Sequence, residues 1–316
     1  MQVEYQSGRS LGPGTHLGAA RGVPDRALIE EPLQFGSGGR LFGILTHPQS
    51  PAAGARELPT FLLLNSGFLH RVGPSRLYVR LARSLAARGF TSVRIDLSGR
   101  GDSTRRTGVT HEQSVVDDYA EVAQLLEARF GAVTFVLGGL CAGADNAIRL
   151  SIRDERIVGM LLLDPICFPD DGFKSRARAM KYSNPARYGV WLRRRLERLF
   201  APPIDPDDDE LYWASVDPLS LRDLPNREEM RAAFQAILER DGRVLSTFSG
   251  YSLSYYNQVG QLRRVLELND PEERCTEMFW PEADHTYPLE SHRRRLIACV
   301  ETWANGYEAL RAERRG

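Results

Sequence analysis

The chain has 316 residues, of which 42% are hydrophobic and 26% charged, values typical of a soluble globular protein with one large domain or two small ones. Lysine plus arginine and aspartate plus glutamate each number 41, so net charge gives no reason to expect a nucleic-acid or membrane partner. The polar start argues against a signal peptide, and the lack of any long apolar stretch argues against a membrane span. Four widely spaced cysteines argue against a disulfide framework or a zinc site and predict a reduced, cytoplasmic enzyme.

Short apolar runs alternate with helical patterns after an N-terminal arm, residues 1–25, rich in glycine, serine and proline. Strands are predicted at 27–35, 40–46, 60–64, 91–97, 133–137, 158–164, 243–248 and 275–280. Helices are predicted at 77–88, 113–130, about 144–152 and 289–303. The first two strands are separated only by a glycine cluster, which predicts an edge hairpin and lacks the spacing of a dinucleotide loop.

This alternation predicts an α/β fold with a mostly parallel central sheet covered by helices on both faces. Residues 26–167 and 242–310 are expected to form the core. The charged, helix-prone block 168–241 is expected to be a helical lid, inserted over the carboxyl ends of the strands, where such sheets bind ligands.

The strongest chemical signal lies between the fifth predicted strand and the helix that follows it. The sequence there is Gly-Leu-Cys-Ala-Gly, with Cys141 at its centre, and strand, Gly-x-Cys-x-Gly and helix is the layout of a nucleophile elbow. Such a turn strains the central residue, and the glycines prevent collisions between Cβ atoms. The helix N-terminus favours a thiolate. The alternative is that Cys141 is a small buried apolar residue and the glycines only shorten the turn.

A nucleophilic cysteine needs a base, and His285 follows the last predicted strand, where that base is expected. His70 lies in the loop after the first inner strand and is expected to contact the substrate. Asp145, one helical turn after Cys141, is a second candidate contact that would pair with a substrate amine. The alternative for Asp145 is an exposed or helix-capping carboxylate.

Together these motifs resemble the α/β-hydrolase family over residues 27 to 305. The matching segments are residues 139–143 with the nucleophile elbow, 284–286 with the histidine loop, 65–68 with the oxyanion loop and 96–103 with the Asp-x-x-Gly-x-Gly-x-Ser loop. The last match makes Arg100-Gly101-Asp102 a structural turn rather than a cell-adhesion tripeptide. The resemblance implies an α/β-hydrolase fold and an oxyanion hole formed by the backbone N–H groups of Phe68 and Ala142.

The motifs do not assign the acidic residue that would orient His285. Many family members carry it just after the strand that follows the lid, where this chain has Ser252. Asp164 follows the strand after the elbow helix, a position that resembles the acid of the thioesterase domains of peptide and polyketide synthases. Asp164 can equally be a turn former before Pro165. A Cys–His pair can also work with a weaker orienting group.

Cysteine in place of serine has a chemical consequence, because an acyl group moved from a thioester onto a thiolate stays activated for further transfer. The elbow and the loop 71–76 resemble the acyl and aminoacyl shuttles of nonribosomal peptide and polyketide pathways. The resemblance implies an acyltransferase or thioesterase with an acyl thioester on Cys141, with His285 as general base and without a bound cofactor or metal.

The donor is then expected to be linked to phosphopantetheine or CoA, with an acyl or peptidyl carrier protein and a small-molecule acyl acceptor as partners. The arginines expected to meet the carrier or its phosphate are Arg71 or Arg76 and, in the lid, Arg187, Arg193, Arg194 and Arg195; solvated helix-face charge is the alternative. Two other functions stay open: a small-molecule ester or lactone hydrolase with a cysteine nucleophile, and a non-catalytic binding protein of the same fold.

Overall fold

The computed structural model describes residues 28–49, 58–182 and 224–313. The strands are β1 (Leu28–Phe35), β2 (Leu41–Pro48), β3 (Thr60–Leu64), β4 (Ser92–Asp96), β5 (Phe135–Leu140), β6 (Ile157–Leu163), β7 (Arg243–Ser249) and β8 (Cys275–Trp280). The α-helices in these ranges are α1 (Leu77–Ala87), α2 (His111–Phe130), α3 (Ala142–Ser151), α4 (Phe173–Tyr182), α5 (Arg227–Glu239), α6 (Gln261–Leu266) and α7 (Glu290–Glu313).

The described strands form one sheet of eight, in the order β1-β2-β4-β3-β5-β6-β7-β8. Only the pairs β1–β2 and β2–β4 are antiparallel, and every pair from β4 onward is parallel. This order confirms the mostly parallel sheet with an antiparallel edge. Because the carboxyl ends of parallel strands share one edge, the loops after β3, β5, β6 and β8 lie together there.

Helices cover both faces of the sheet, as the continuous apolar strands predict. Side chains of β3 alternate: Leu62 and Leu64 belong to the core cluster that contains residues of α2, α3 and α5. Phe61 and Leu63 belong to the opposite cluster, which contains residues of α1 and α7. Within the described ranges, no helix combines the length and apolarity needed to cross a bilayer.

The described part of the predicted lid includes a helix that packs on the sheet. In α5, Met230, Phe234 and Ile237 are fully or almost fully buried and lie in the same core cluster as α3. Their spacing indicates an amphipathic helix but does not show which surface that helix covers. The remaining lid residues, 183–223, and the arm, 1–25, lie outside the described residues, so the lid and the domain boundaries stay predictions.

Strand β5 extends three residues beyond the predicted end, through Gly138 and Gly139. A Cβ on Gly138 would lie 3.1 Å from Leu161 Cβ and 3.2 Å from Leu63 Cδ2. The glycine therefore lets the central strands pack closely where the sequence pattern indicates a turn. As a result the turn begins only at Cys141.

Replacing Phe61 by alanine is expected to lower the free energy of unfolding by about 3–5 kcal/mol, the usual cost of a truncated core phenylalanine. The Phe61 ring packs edge-on against Phe90, with centroids 5.4 Å apart, and against Trp303 at 6.2 Å. Urea denaturation measures the change. Val133→Ala, at a side chain 58% exposed, is the control, and an equal loss in both variants would contradict this packing.

Candidate active site

The turn between β5 and α3 has the strained backbone of a nucleophile elbow. Cys141 has φ 59° and ψ −120°, a conformation that costs free energy in a non-glycine residue. A Cβ on Gly139 would lie 2.6 Å from Gly143 Cα, and a Cβ on Gly143 would lie 2.7 Å from Leu64 O. The two glycines are therefore required sterically, as the sequence pattern predicts.

Cys141 differs from the other three cysteines in its exposure. Cys141 is half-buried, whereas Cys167, Cys275 and Cys299 are buried. Burial raises the pKa of the Cys275 thiol to about 12 and that of the Cys299 thiol to about 11. Burial also raises the pKa of Cys167. Of the four cysteines, Cys141 is therefore the one that lines the cavity.

His285 lies next to a buried carboxylate at the end of the neighbouring strands. Its Nδ1 is 2.8 Å from Asp164 Oδ2, and Asp164 is fully buried. The Ser249 backbone N–H donates to Asp164 Oδ1 and the Ser249 hydroxyl to Oδ2, both at 2.6 Å. These donors stabilise the ionised carboxylate, so Asp164 can orient the imidazole and stabilise its positive charge.

The position at which the sequence comparison expected an acid holds a structural serine instead. Ser252 is fully buried, and its hydroxyl donates to Ser249 O at 2.7 Å. Asp284, beside the histidine, accepts the backbone N–H and hydroxyl of Thr286 at 2.8 and 2.6 Å. Of these candidates, the structure brings Asp164 to His285.

The pKa of His285 reflects its two partners. Burial, the largest influence, lowers it, but hydrogen bonds to Asp164 and Cys141 and the charges of both groups outweigh burial and raise the pKa to about 9. Tyr251 stacks on the imidazole, with ring centroids 4.2 Å apart. Sequence reasoning missed Tyr251, and its position directly after β7, at the ligand-binding edge of the sheet, was the available signal.

Cys141 and His285 open into one cavity of about 840 Å³, whose wall also includes Phe68, Ala142, Asp145 and Tyr251. Asp145 is 2% exposed, so it is not the exposed carboxylate of the alternative interpretation. Four arginines also line the cavity: Arg100, Arg105, Arg106 and Arg149. This volume suits a small-molecule substrate group.

Phe68 and Ala142, whose backbone N–H groups are the predicted oxyanion donors, both line this cavity. Ala142 is the first residue of α3, and Phe68 follows Gly67 in the turn after β3. Among the described residues, neither the Phe68 N–H nor the Ala142 N–H has a hydrogen-bond acceptor. An oxyanion hole requires such N–H groups without an acceptor, so the predicted role of Phe68 and Ala142 stays a prediction.

His70 lies in an ion-pair cluster and is not among the residues that line the cavity. Its Nε2 is 3.3 Å from Asp102 Oδ2. His70, Asp96 and Asp102 are also the described residues whose ligand atoms lie close enough together to hold a metal ion. Arg71 already pairs with both carboxylates, so its guanidinium supplies the positive charge there. The predicted substrate contact of His70 finds no support in this arrangement.

The sheet, the elbow and the Asp164–His285 pair define an α/β-hydrolase. The family model described as serine aminopeptidase, S33, matches residues 67–239, more than half of the chain, and the chain belongs to that family. The match includes the elbow and Asp164 and ends before His285. The chain departs from the family description in carrying cysteine at the elbow.

Solved structures share this fold at low sequence identity. Proline iminopeptidase from Mycobacterium smegmatis is 14% identical over 89% of this chain and 99% of its own, with a TM-score of 0.53. An esterase from Pyrococcus furiosus is 14% identical over 89% and 91%, with a TM-score of 0.51. A protein of unknown function from Agrobacterium tumefaciens is 14% identical over 88% and 95%, also at 0.51. Such identities show the fold alone, and no curated protein matches the sequence.

The imidazolium of His285 is expected to titrate near pH 9, and Asp164→Asn is expected to lower that pKa because it removes the anion at Nδ1. NMR of ¹³C-labelled histidine measures the titration, with His285→Gln to identify the signal. The pKa of histidine in the unfolded chain is about 6.5. The contribution of protonated His285 to the stability of the folded protein is therefore complete below about pH 6.5 and is lost as the pH rises through about 9.

The matched control for this titration is Asp284→Asn. It removes a neighbouring carboxylate that binds Thr286, so the pKa of His285 is expected to change little. A pKa that stays the same in Asp164→Asn, or that falls equally in both variants, contradicts the ion pair.

Proposed function

We propose that this protein is an acyltransferase or thioesterase that forms a covalent acyl thioester on Cys141. The observation that carries the proposal is the chain of contacts from Asp164 through His285 to Cys141 at one cavity. A nucleophile, a base and an orienting acid in this order support covalent acyl chemistry.

His285 accepts the thiol proton of Cys141, which gives a thiolate and an imidazolium held by Asp164. The raised pKa of His285 favours this charged pair near neutral pH. The thiolate attacks the donor carbonyl, and the N–H groups of Phe68 and Ala142 stabilise the oxyanion. Collapse of the intermediate releases the donor thiol, which takes the proton from His285 and leaves the acyl group on Cys141.

In the second half-reaction His285 removes a proton from the acceptor, which attacks the acyl thioester and releases the Cys141 thiolate. With water as acceptor the protein is a thioesterase, and with a thiol, amine or alcohol it is an acyltransferase. Transfer is favoured by the cysteine, because a thioester preserves the activation of the acyl group. Hydrolysis of a small ester or lactone is the second candidate, and membership of a hydrolase family supports it.

We also propose a donor linked to CoA or to the phosphopantetheine arm of an acyl or peptidyl carrier protein, and a cytoplasmic location, which the free cysteines support. Arg71 is 13% exposed and paired with Asp96 and Asp102, so it is a poor phosphate contact. Arg76 is exposed, and the lid arginines 187 and 193–195 lie outside the described residues. The exposed Arg105 at the cavity is a further candidate for the donor phosphate.

Incubation with an acyl-CoA or an acyl N-acetylcysteamine thioester is expected to add one acyl group, detected by intact-protein mass spectrometry. Cys141→Ala should abolish the adduct, whereas alanine at Cys167, Cys275 or Cys299 should retain it, because those thiols are buried. His285→Ala should slow acylation by about 100-fold or more. No adduct on the wild type, or an equal adduct on Cys141→Ala, would contradict the proposal and favour a non-catalytic binding protein.

The same adduct distinguishes transfer from hydrolysis. A thiol or amine acceptor that shortens the lifetime of the acyl-enzyme and appears in the product supports an acyltransferase. An unchanged lifetime together with faster turnover of p-nitrophenyl esters than of thioesters would establish the hydrolase alternative.

Asp145 is proposed to bind an amino group of the acyl moiety, since its buried carboxylate lines the cavity one helical turn from Cys141. Asp145→Asn is expected to lower kcat/KM for an aminoacyl thioester by about 10-fold or more, the usual value of a hydrogen bond to a charged group. The N-acetylated form of the same donor is the control and should change little. Equal losses for both donors would assign Asp145 to the stability of α3 instead.

A further inference from the structure

Arg100 holds the peptide group that carries the Phe68 N–H. The Arg100 Nε donates to Gly67 O at 2.6 Å, and its guanidinium lies over the Phe68 ring, with Cζ 5.5 Å from the centroid. Gly67 O and Phe68 N belong to the same peptide. In a trans peptide the C=O and N–H point in opposite directions, so a fixed carbonyl also fixes the direction of the N–H.

This peptide is the centre of a tight turn over residues 66–69. Leu69 N donates to Ser66 O at 3.0 Å, which closes the turn. Gly67 has φ +55°, whereas Phe68 does not have positive φ, the pattern of a type II′ turn. Types II′ and I′ differ mainly in the orientation of the central peptide, and in type I′ Phe68 also takes a positive φ. Rotation to that form would point the Phe68 N–H in the opposite direction.

The backbone of Arg100 is a rigid support for this contact. Arg100 N donates to Leu97 O, and Ser103 N donates to Arg100 O, both at 2.9 Å. The Ser103 hydroxyl donates to Asp96 O at 2.6 Å. These bonds fix the loop after β4 without the Arg100 side chain, which is therefore available to hold the neighbouring turn.

We infer that Arg100 is a positioning residue that keeps the Gly67–Phe68 peptide in the orientation required for an oxyanion hole. The inference rests on the proposed function, since it assigns the Phe68 N–H to the oxyanion of an acyl transfer. Arg100 touches neither the substrate nor Cys141 in this role. Its bond to Gly67 O also polarises the peptide, which makes the N–H a better donor.

Two reactions of Cys141 are expected to respond differently to the loss of Arg100. Acylation by a thioester creates an oxyanion, whereas disulfide exchange with methyl methanethiosulfonate does not. Arg100→Gln is therefore expected to slow acylation by a neutral acyl N-acetylcysteamine thioester by about 10- to 100-fold, somewhat less than removal of an oxyanion donor. Its KM and its rate of disulfide exchange should stay at wild-type values. A neutral donor excludes any role of Arg100 in binding phosphate.

Arg100→Lys and Arg129→Gln complete the experiment. Lysine keeps a cationic donor and is expected to restore part of the acylation rate. Arg129, near the end of α2, pairs with Glu31 and is not among the residues that line the cavity, so Arg129→Gln should react like the wild type. Wild-type acylation in Arg100→Gln, or equal losses in acylation and disulfide exchange, would overturn the inference. Absence of acyl-enzyme in the wild type would instead overturn the proposed function.

Discussion

The close approach of helix α3 to the end of strand β3 is the constraint on which the site depends. Gly143 lies so near Leu64 O that a Cβ would stand 2.7 Å from this oxygen. This contact brings the N-terminus of α3, with Cys141 and the Ala142 N–H, beside the turn that carries the Phe68 N–H. A side chain at residue 143 would force these groups apart. The positions of Cys141 and of the Ala142 and Phe68 N–H groups relative to one another therefore depend on one backbone contact.

A buried carboxylate lies at the end of strand β6. Asp164 is fully buried, and such a carboxylate is costly unless donors surround it. Ser249 supplies two of the donors and His285 the third. The arrangement links the ends of β6, β7 and β8, so the acid stabilises the edge of the sheet and orients the base. The bond to Asp164, together with the contact to Cys141, outweighs burial and raises the pKa of His285.

A second carboxylate organises the opposite side of the cavity. Asp96 Oδ1 accepts from the Asn65 amide at 3.0 Å and from the Arg71 backbone N–H at 2.7 Å. Gly101 must be glycine here, because a Cβ would stand 2.1 Å from Asp96 Oδ2. Asp96 thus joins the loop after β3 to the loop after β4, and this junction places Arg100 over Phe68. In the Asp-x-x-Gly-x-Gly-x-Ser motif, Asp96 and Gly101 therefore have structural roles. Arg100 occupies one of the x positions of the motif, and its side chain contacts the neighbouring turn.

Local sequence determined much of this protein. Strand-like runs predicted every described strand within a few residues, and in the central strands burial on both faces leaves a continuous hydrophobic signal. The glycines around Cys141 predicted the elbow, since the steric requirement is local. By contrast, α5 was assigned to a lid, since residue spacing shows that a helix is amphipathic but does not show which surface it covers.

Tertiary structure decided the contacts between residues distant in sequence. Asp164 and Ser252 were both reasonable positions for an acid by order along the chain, and only the pairing of β6 with β7 shows that Ser249 and His285 converge on Asp164. His70 is close in sequence to the oxyanion turn, yet Asp102 and Arg71 hold it in a separate ion-pair cluster. The contact of Arg100 with Gly67 likewise depends on two loops meeting at one edge of the sheet. The sequence determined which chemical groups are present. The hydrogen-bond partners of these groups depended on the order of the strands in the sheet, because hydrogen bonds act over a few ångströms and chain order does not determine such distances.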